Sequence, residues 1–158
     1  MFYSYFNIKY TNKVSKKGYK WKGEDVIPKI EGENISVNYT TQTFNDFKVL
    51  TKYYSDTKLL KSESLKFLNL WGRLEAQNSK PEYLSIMNAI HIYESLRKDI
   101  ELKKQPNIQD YQKTGFLNLS YEWYPNKNNI VPTFYPDSLW HAIQLTFLLY
   151  EFNMNKKS

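Results

Sequence analysis

Hydrophobic and polar residues alternate near the start of the chain. Aromatic or branched residues recur at every second position in residues 2–10, 19–22 and 35–39, a pattern that predicts β-strands. Polar or glycine-containing stretches separate the three segments. We interpret residues 2–40 as an antiparallel meander.

The spacing of apolar residues then changes to a helical period. Thr43 followed by Asp46 resembles a capping box and predicts the start of a first helix, with Phe47, Leu50 and Tyr54 on one face. The predicted second helix is capped by Ser62 and has a strongly apolar interior, comprising Leu65, Phe67, Leu68, Leu70, Trp71 and Leu74.

A third helix is predicted from Pro81, a residue that suits the first helical turn, to about Lys104, just before Pro106. Its apolar residues form a helical stripe wide enough for a central position, comprising Leu84, Ile86, Met87, Ala89, Ile90, Tyr93, Leu96 and Ile100.

The last third of the chain predicts one more strand and one more helix. Alternation across about 115–124 indicates a returning strand, which we expect to join the N-terminal sheet. Residues 125–129 are expected to form a loop and 132–136 an irregular stretch. Asp137 or Ser138 is expected to cap a helix that runs to about Asn153. The pattern as a whole predicts an α+β fold in one domain of residues 1–158.

That C-terminal helix is apolar on nearly every side, so it should pack on two sides or be covered by a partner. If a partner covers it, Trp140, Leu148 and Phe152 are the candidate interface residues. The chain also holds 14 tyrosines, more than one domain of this size buries easily. Exposed aromatic surface favours a protein partner or a second copy of the chain.

Composition excludes several kinds of chemistry. There is no cysteine, which rules out disulfides, thiolate zinc sites and a cysteine nucleophile. With 5 glycines and no glycine-rich motif, we expect no phosphate-cradling loop. No metal or cofactor is predicted. The sequence shows no signal peptide and no membrane-spanning stretch, which predicts a cytoplasmic protein.

The net charge of +6 is a weak indication of nucleic-acid binding. All basic residues except Arg73 and Arg97 are lysines, and the abundance of lysine, asparagine and tyrosine also fits an AT-rich genome. The excess is local, however, since residues 1–30 hold seven lysines against Glu24 and Asp25.

The segment 13–22 is the candidate nucleic-acid site. Its basic and aromatic residues interleave, so that lysines could neutralise phosphates while a ring stacks on an unpaired base; they are Lys16, Lys17, Tyr19, Lys20, Trp21 and Lys22. The alternative is an ordinary strand with aromatics facing the core and lysines facing water, and the sequence does not decide between the two.

His91 is the candidate catalytic residue. Glu94, Ser95 and Lys98 share its helical face, and Arg97 lies nearby, a set that could support metal-independent cleavage of RNA. The other histidine, His141, lies in an apolar helix, and we expect it to be structural. A lone histidine in an apolar helix is usually structural, so an enzyme is the less favoured interpretation.

The sequence therefore favours a non-enzymatic protein that acts by occupying a macromolecular partner. A protein partner is the first expectation, in the manner of an inhibitor or immunity protein from a bacterial accessory or phage gene. Single-stranded nucleic-acid binding through segment 13–22 and a His91 ribonuclease are the alternatives.

Overall fold

The computed structural model describes residues 6–75, 80–102, 118–124 and 129–152. Strands and helices alternate in blocks along this part of the chain. In order they are β1 (Asn7–Ile8), β2 (Thr11–Ser15), β3 (Tyr19–Lys22), β4 (Asp25–Pro28), β5 (Asn34–Asn38), α1 (Thr41–Thr51), α2 (Thr57–Trp71), α3 (Glu82–Glu101), β6 (Asn118–Tyr124), β7 (Asn129–Tyr135) and α4 (Leu139–Thr146), followed by a π-helical turn (Phe147–Phe152). The predicted α+β class is confirmed.

Four of the N-terminal strands form nested antiparallel pairs. β3 pairs with β4 around a tight turn, and β2 pairs with β5. In the predicted meander each strand would pair with the next one along the chain, whereas β2 pairs with β5 and not with β3. The backbone bond from Lys16 N–H to the Glu33 carbonyl continues the outer pair toward the inner one. The two pairs are separate two-stranded sheets that follow each other, and we call β2 to β5 together the ribbon.

The ribbon packs against α2 through side-chain hydrogen bonds. Asn69 Oδ1 accepts from the Tyr19 N–H at 2.8 Å, and the Trp21 indole N–H donates to the Lys61 carbonyl at 3.1 Å. α2 ends at Gly72, whose φ of 84° places it in the left-handed region. A Cβ there would lie 2.6 Å from Asn12 Nδ2, so no larger residue fits this close approach.

The remaining strands form a second sheet in the order β1-β7-β6. β6 confirms the returning strand over 118–124, and it reaches β1 through β7, which pairs parallel with β1 and antiparallel with β6. β7 corrects the sequence interpretation, because residues 129 and 132–136 were expected to be loop or irregular. Pro132 is tolerated because β1 lies opposite Thr133 and Phe134 only, so the proline interrupts no ladder on that side. The expected loop residues 125–128 lie outside the described residues.

Two helix starts differ from the prediction. α1 begins at Thr41 after the N-cap Thr40, whose N–H donates to Thr43 Oγ1 at 3.0 Å. Thr43, which was expected to start the capping box, is therefore the third residue of the helix and closes the box. α2 begins at Thr57, where the Asp56 carboxylate accepts from the Leu59 N–H at 3.1 Å, and Ser62 lies inside the helix. α3 confirms the third helix after Pro81, and its predicted end at Lys104 lies outside the described residues.

α4 is buried along its whole length. Ser138 caps it, as expected, by accepting from the His141 N–H at 3.1 Å, and all eight residues from Leu139 to Thr146 are buried. The helix continues as π-helix to Phe152, and the predicted end at Asn153 lies outside the described residues. The chain's own core therefore covers this apolar helix.

Aromatic rings join the four helices. Phe47 of α1 is fully buried, with its ring centroid 6.4 Å from Phe67, 5.8 Å from Tyr93 and 5.6 Å from Trp140. Tyr93 also meets Phe147 edge-on at 5.1 Å. These contacts hold α1 beside α3, which sets the walls of the groove described below. Among the helices of the described residues, none is long and apolar enough to cross a membrane.

Candidate functional site

A surface groove of about 550 Å³ lies between the end of α1 and the outer face of α3. Its first wall comprises Lys48 and Thr51 of α1 with Lys52, Tyr54 and Ser55 of the turn that follows. The turn is held by backbone bonds from the N–H groups of Lys52 and Tyr53 to the carbonyls of Val49 and Leu50. The helix end therefore fixes the backbone that carries this wall.

The second wall is one face of α3. His91, Glu94 and Lys98 are three or four positions apart along the helix, so they lie one above the other, and Tyr93 and Arg97 complete the wall. Tyr93 is buried, because its ring is packed into the aromatic core. This wall of the groove is therefore held in place by the aromatic core.

The charge of the groove is strongly positive. Lys48, Lys52, Arg97 and Lys98 contribute four cations against the carboxylate of Glu94. Among the described residues, neither Lys52 nor Lys98 has a counter-ion. Two ammonium groups are therefore available to an anionic ligand.

Arg97 is oriented by acidic neighbours on its own helix. Glu94 accepts a hydrogen bond from its guanidinium at 2.8 Å, and Glu101 lies 3.8 Å away. The hydrogen bond to Glu94, more than any other interaction, raises the pKa of Arg97 above its ordinary value. The ammonium group of Lys48 lies 5.1 Å from the centre of the Phe44 ring, a cation–π contact.

The structure brings His91 together with several of the residues expected to accompany it. His91 is exposed and lines the groove with Glu94, Arg97 and Lys98, and it forms no hydrogen bond within the part of the chain that the structure describes. Glu94 is already engaged with Arg97. The catalytic role of His91 and Arg97 stays a prediction.

Segment 13–22 divides its residues between the core and the solvent. Lys16, Lys17, Lys20 and Lys22 are exposed, whereas Tyr19 is buried and Trp21 is half-buried. The Tyr19 hydroxyl accepts from the Ser15 N–H at 3.0 Å, so this ring supports the ribbon and is not free to stack on a base. The Trp21 ring packs edge-on against Tyr83, with the Lys61 ammonium 5.5 Å from its centre. The lysines and part of the Trp21 ring are accessible to a ligand, and nucleic-acid binding by this segment stays a prediction.

The candidate interface residues of the C-terminal helix are only partly accessible. Trp140 is buried against Phe47, and its backbone N–H donates to the Leu74 carbonyl at 2.9 Å. This burial corrects the assignment of Trp140 as an interface residue. Leu148 is half-buried against the core. The side chain of Phe152 lies outside the described residues.

The second histidine has a structural environment. His141 is buried, and its Nδ1 lies 3.1 Å from Asp137 Oδ1 at the start of α4. Burial and then the negative charge of Asp137 raise the pKa of Tyr10 above its ordinary value. Within the described residues, no group of three or more acidic or histidine side chains could hold a metal ion.

A second charged cluster links the ribbon tip to the start of α3. The Arg73 guanidinium donates to Asp25 Oδ1 at 2.9 Å and to the Val26 carbonyl at 3.3 Å, and it lies 3.3 Å from the carboxylate of Glu82. Glu82 is fully buried and also accepts from the Leu74 N–H at 3.0 Å. Because all three guanidinium nitrogens of Arg73 have partners, we assign this cluster a structural role.

The sequence interpretation missed the α1 side of the groove. Lys48 and Lys52 are four positions apart and share a face, which is visible in the sequence but is ordinary for a solvated helix. Tyr54 was expected on the apolar face of the first helix, whereas α1 ends at Thr51 and leaves Tyr54 in an exposed turn. Nothing local indicates that this turn faces His91.

Comparison with known proteins gives one partial similarity. The chain is 31% identical over 137 residues to a protein named lysine–tRNA ligase from Clostridium tetani. The match covers 77% of this chain and 27% of the ligase, so the chain spans about a quarter of that protein's length. No family model matches the chain. No solved structure matches it either.

Proposed function

We propose that the chain binds nucleic acid through the groove between α1 and α3. The observation that carries this proposal is the convergence of Lys48, Lys52, Arg97 and Lys98 on one cavity. Cations held together at a surface bind a phosphate backbone and release its condensed counter-ions, which favours association. Lys52 and Lys98 can contribute most, because neither has a counter-ion among the described residues.

Two further observations support the proposal. The ribbon presents four further exposed lysines, Lys16, Lys17, Lys20 and Lys22, which add positive charge that attracts a polyanion. The partial match is to a protein whose name states that it acts on tRNA. That name describes the ligase, and for this chain it supports a nucleic-acid ligand over other anions.

The direct test reverses the charge of the groove. We expect the double variant Lys52→Glu, Lys98→Glu to bind a labelled oligonucleotide at least about tenfold more weakly than the wild-type chain. The matched control is Lys58→Glu, Lys80→Glu, which changes the net charge equally at two exposed lysines outside both the groove and the ribbon. Fluorescence anisotropy titrations at one fixed salt concentration measure both.

Equal weakening by the two double variants would contradict the groove as the binding site. A third variant with Lys16, Lys17, Lys20 and Lys22 changed to Glu tests the ribbon separately. A large loss there, with no loss in the groove variant, would move the proposal to segment 13–22. Far-ultraviolet circular dichroism of each variant confirms that it is folded.

The second candidate function is occupation of a protein partner, in the manner of an inhibitor. Its support is a set of large apolar side chains at the surface, among them Leu70 and Leu84. We expect Leu70→Ser, Leu84→Ser to lose a protein that the wild-type chain retains from a cell lysate, identified by mass spectrometry. A wild-type chain that stays monomeric and retains no protein would contradict this candidate.

A further inference from the structure

We infer that the groove takes a single strand of nucleic acid and stacks an unpaired base on Tyr54. The inference rests on the proposed function and specifies its ligand. Tyr54 lies in the turn between α1 and α2 and lines the groove next to Lys52. Its side chain is 41% exposed, which leaves a large part of the ring open to a ligand.

The Tyr54 ring is free for such a contact. It forms no hydrogen bond and no ring contact with the described residues. Its neighbour Tyr53 packs against the hydrophobic core and does not line the groove. Tyr93, the other aromatic residue of the groove, is held in the core and cannot fill this role.

Ammonium groups are present on both walls of the groove that Tyr54 lines. Lys52 comes two residues before Tyr54 in the same turn, and Lys98 lies on the opposite wall, so phosphates on either side of a stacked base can meet an ammonium group. Single-strand binding proteins combine this type of basic groove with aromatic rings on which bases stack.

The dimensions of the groove favour one strand over two. A cavity of about 550 Å³ is within the range that holds a small organic ligand, and a single nucleotide is a ligand of that kind. In a duplex the base faces are covered by neighbouring bases, so none can lie flat on Tyr54 without leaving the stack. We therefore expect single strands to bind more tightly than duplexes.

The experiment compares three tyrosine variants on two ligands. An unstructured labelled oligonucleotide is titrated alone and after annealing to its complement, with anisotropy as the readout. We expect Tyr54→Ala to weaken single-strand binding about tenfold and Tyr54→Phe, which keeps the ring, to bind like the wild-type chain. Tyr150→Ala is the matched control, because Tyr150 is also 41% exposed and does not line the groove.

The outcomes separate this inference from the proposed function. Wild-type-like binding by Tyr54→Ala, or equal affinity for duplex and single strand, would overturn the inference, while loss of binding in Lys52→Glu, Lys98→Glu would still support the groove. Equal losses in Tyr54→Ala and Tyr54→Phe would also overturn it, since the hydroxyl rather than the ring would then matter. No binding to either ligand by the wild-type chain would remove the proposed function and the inference together.

Discussion

Arg73 connects the ribbon tip to the start of α3. Its guanidinium meets Asp25 and the Val26 carbonyl at the ribbon tip and the buried carboxylate of Glu82 at the start of α3. The side chain of Glu82 has no exposure to solvent, so its charge depends on these partners. Arg73 thus helps to hold the ribbon tip against the helix layer, together with the bond from the Tyr83 backbone N–H to the Glu24 carbonyl at 3.0 Å.

We expect Arg73→Met to destabilise the chain by about 2 to 4 kcal/mol, because it leaves the buried Glu82 carboxylate without its cation. Urea unfolding followed by circular dichroism measures the loss. The control is Arg97→Met, which removes the other arginine from an exposed helix face and should cost less than about 1 kcal/mol. Similar losses of unfolding free energy in both variants would contradict the assigned role of Arg73 as the partner of a buried carboxylate.

Asp25 gives the same cluster a dependence on pH. Burial disfavours its charged form, but hydrogen bonds from the backbone N–H groups of Glu82 and Val26, together with the Arg73 charge, outweigh that effect and lower the pKa of Asp25. A carboxyl whose pKa is lower in the folded state stabilises the fold above its unfolded pKa of about 4. That contribution disappears as the pH falls through the lower folded value.

We therefore expect the stability difference between the wild-type chain and Asp25→Asn to be constant from pH 7 to about pH 5 and to shrink in more acidic solution. Urea unfolding of both proteins across this range provides the measurement. A difference that grows on acidification would contradict the assigned direction of the pKa shift.

At the scale of the element, periodicity predicted the helices better than their starts. α1, α2 and α3 cover most of the apolar residues that predicted them, because burial of a face depends on residues spread along the whole helix. Tyr54, expected on the first helix, and Leu74, expected in the second, lie beyond the ends of α1 and α2. A helix start depends on one side chain, and several polar residues compete for it. Ser62 was expected to cap α2, yet Asp56 accepts a hydrogen bond from the Leu59 N–H and caps the helix six residues earlier.

This competition can be measured with two matched variants. We expect Asp56→Ala to cost about 1 kcal/mol of stability, because it removes the N-cap acceptor of α2. Ser62→Ala should change stability by less than about 0.5 kcal/mol, since Ser62 is exposed inside the helix. A larger loss for Ser62→Ala than for Asp56→Ala would place the functional cap at the residue that the sequence suggested.

The strand missed by the sequence interpretation has a physical explanation too. β7 contains Pro132 and begins at Asn129, two residue types that are rare in strands. Its position is set by long-range pairing with β1 and β6, and no local pattern reports such partners. β6, with its clear alternation, was predictable over the described residues 118–124 because one sequence segment carries the whole signal.

At the scale of the molecule, the groove exists because α1 and α3 pack together. The contact of Phe47 with Tyr93 and with Trp140 joins three helices from distant parts of the chain. The sequence identified the α3 wall around His91, whose residues are neighbours on one helix. The sequence could not show that Lys52 and Tyr54 face that wall, because their position depends on how the aromatic core packs α1 against α3.

The central claim is that the groove lysines neutralise phosphates, and the salt dependence of binding tests it most directly. The association constant for a labelled single strand is measured at several salt concentrations, and its logarithm is plotted against the logarithm of the salt concentration. Three proteins are compared: the wild-type chain, the groove variant Lys52→Gln, Lys98→Gln and the control variant Lys58→Gln, Lys80→Gln. We expect a straight line for each protein, with the slope of the groove variant shallower by about 1 to 2 and the control slope unchanged. A wild-type slope in the groove variant, or the same change in both variants, would contradict the account.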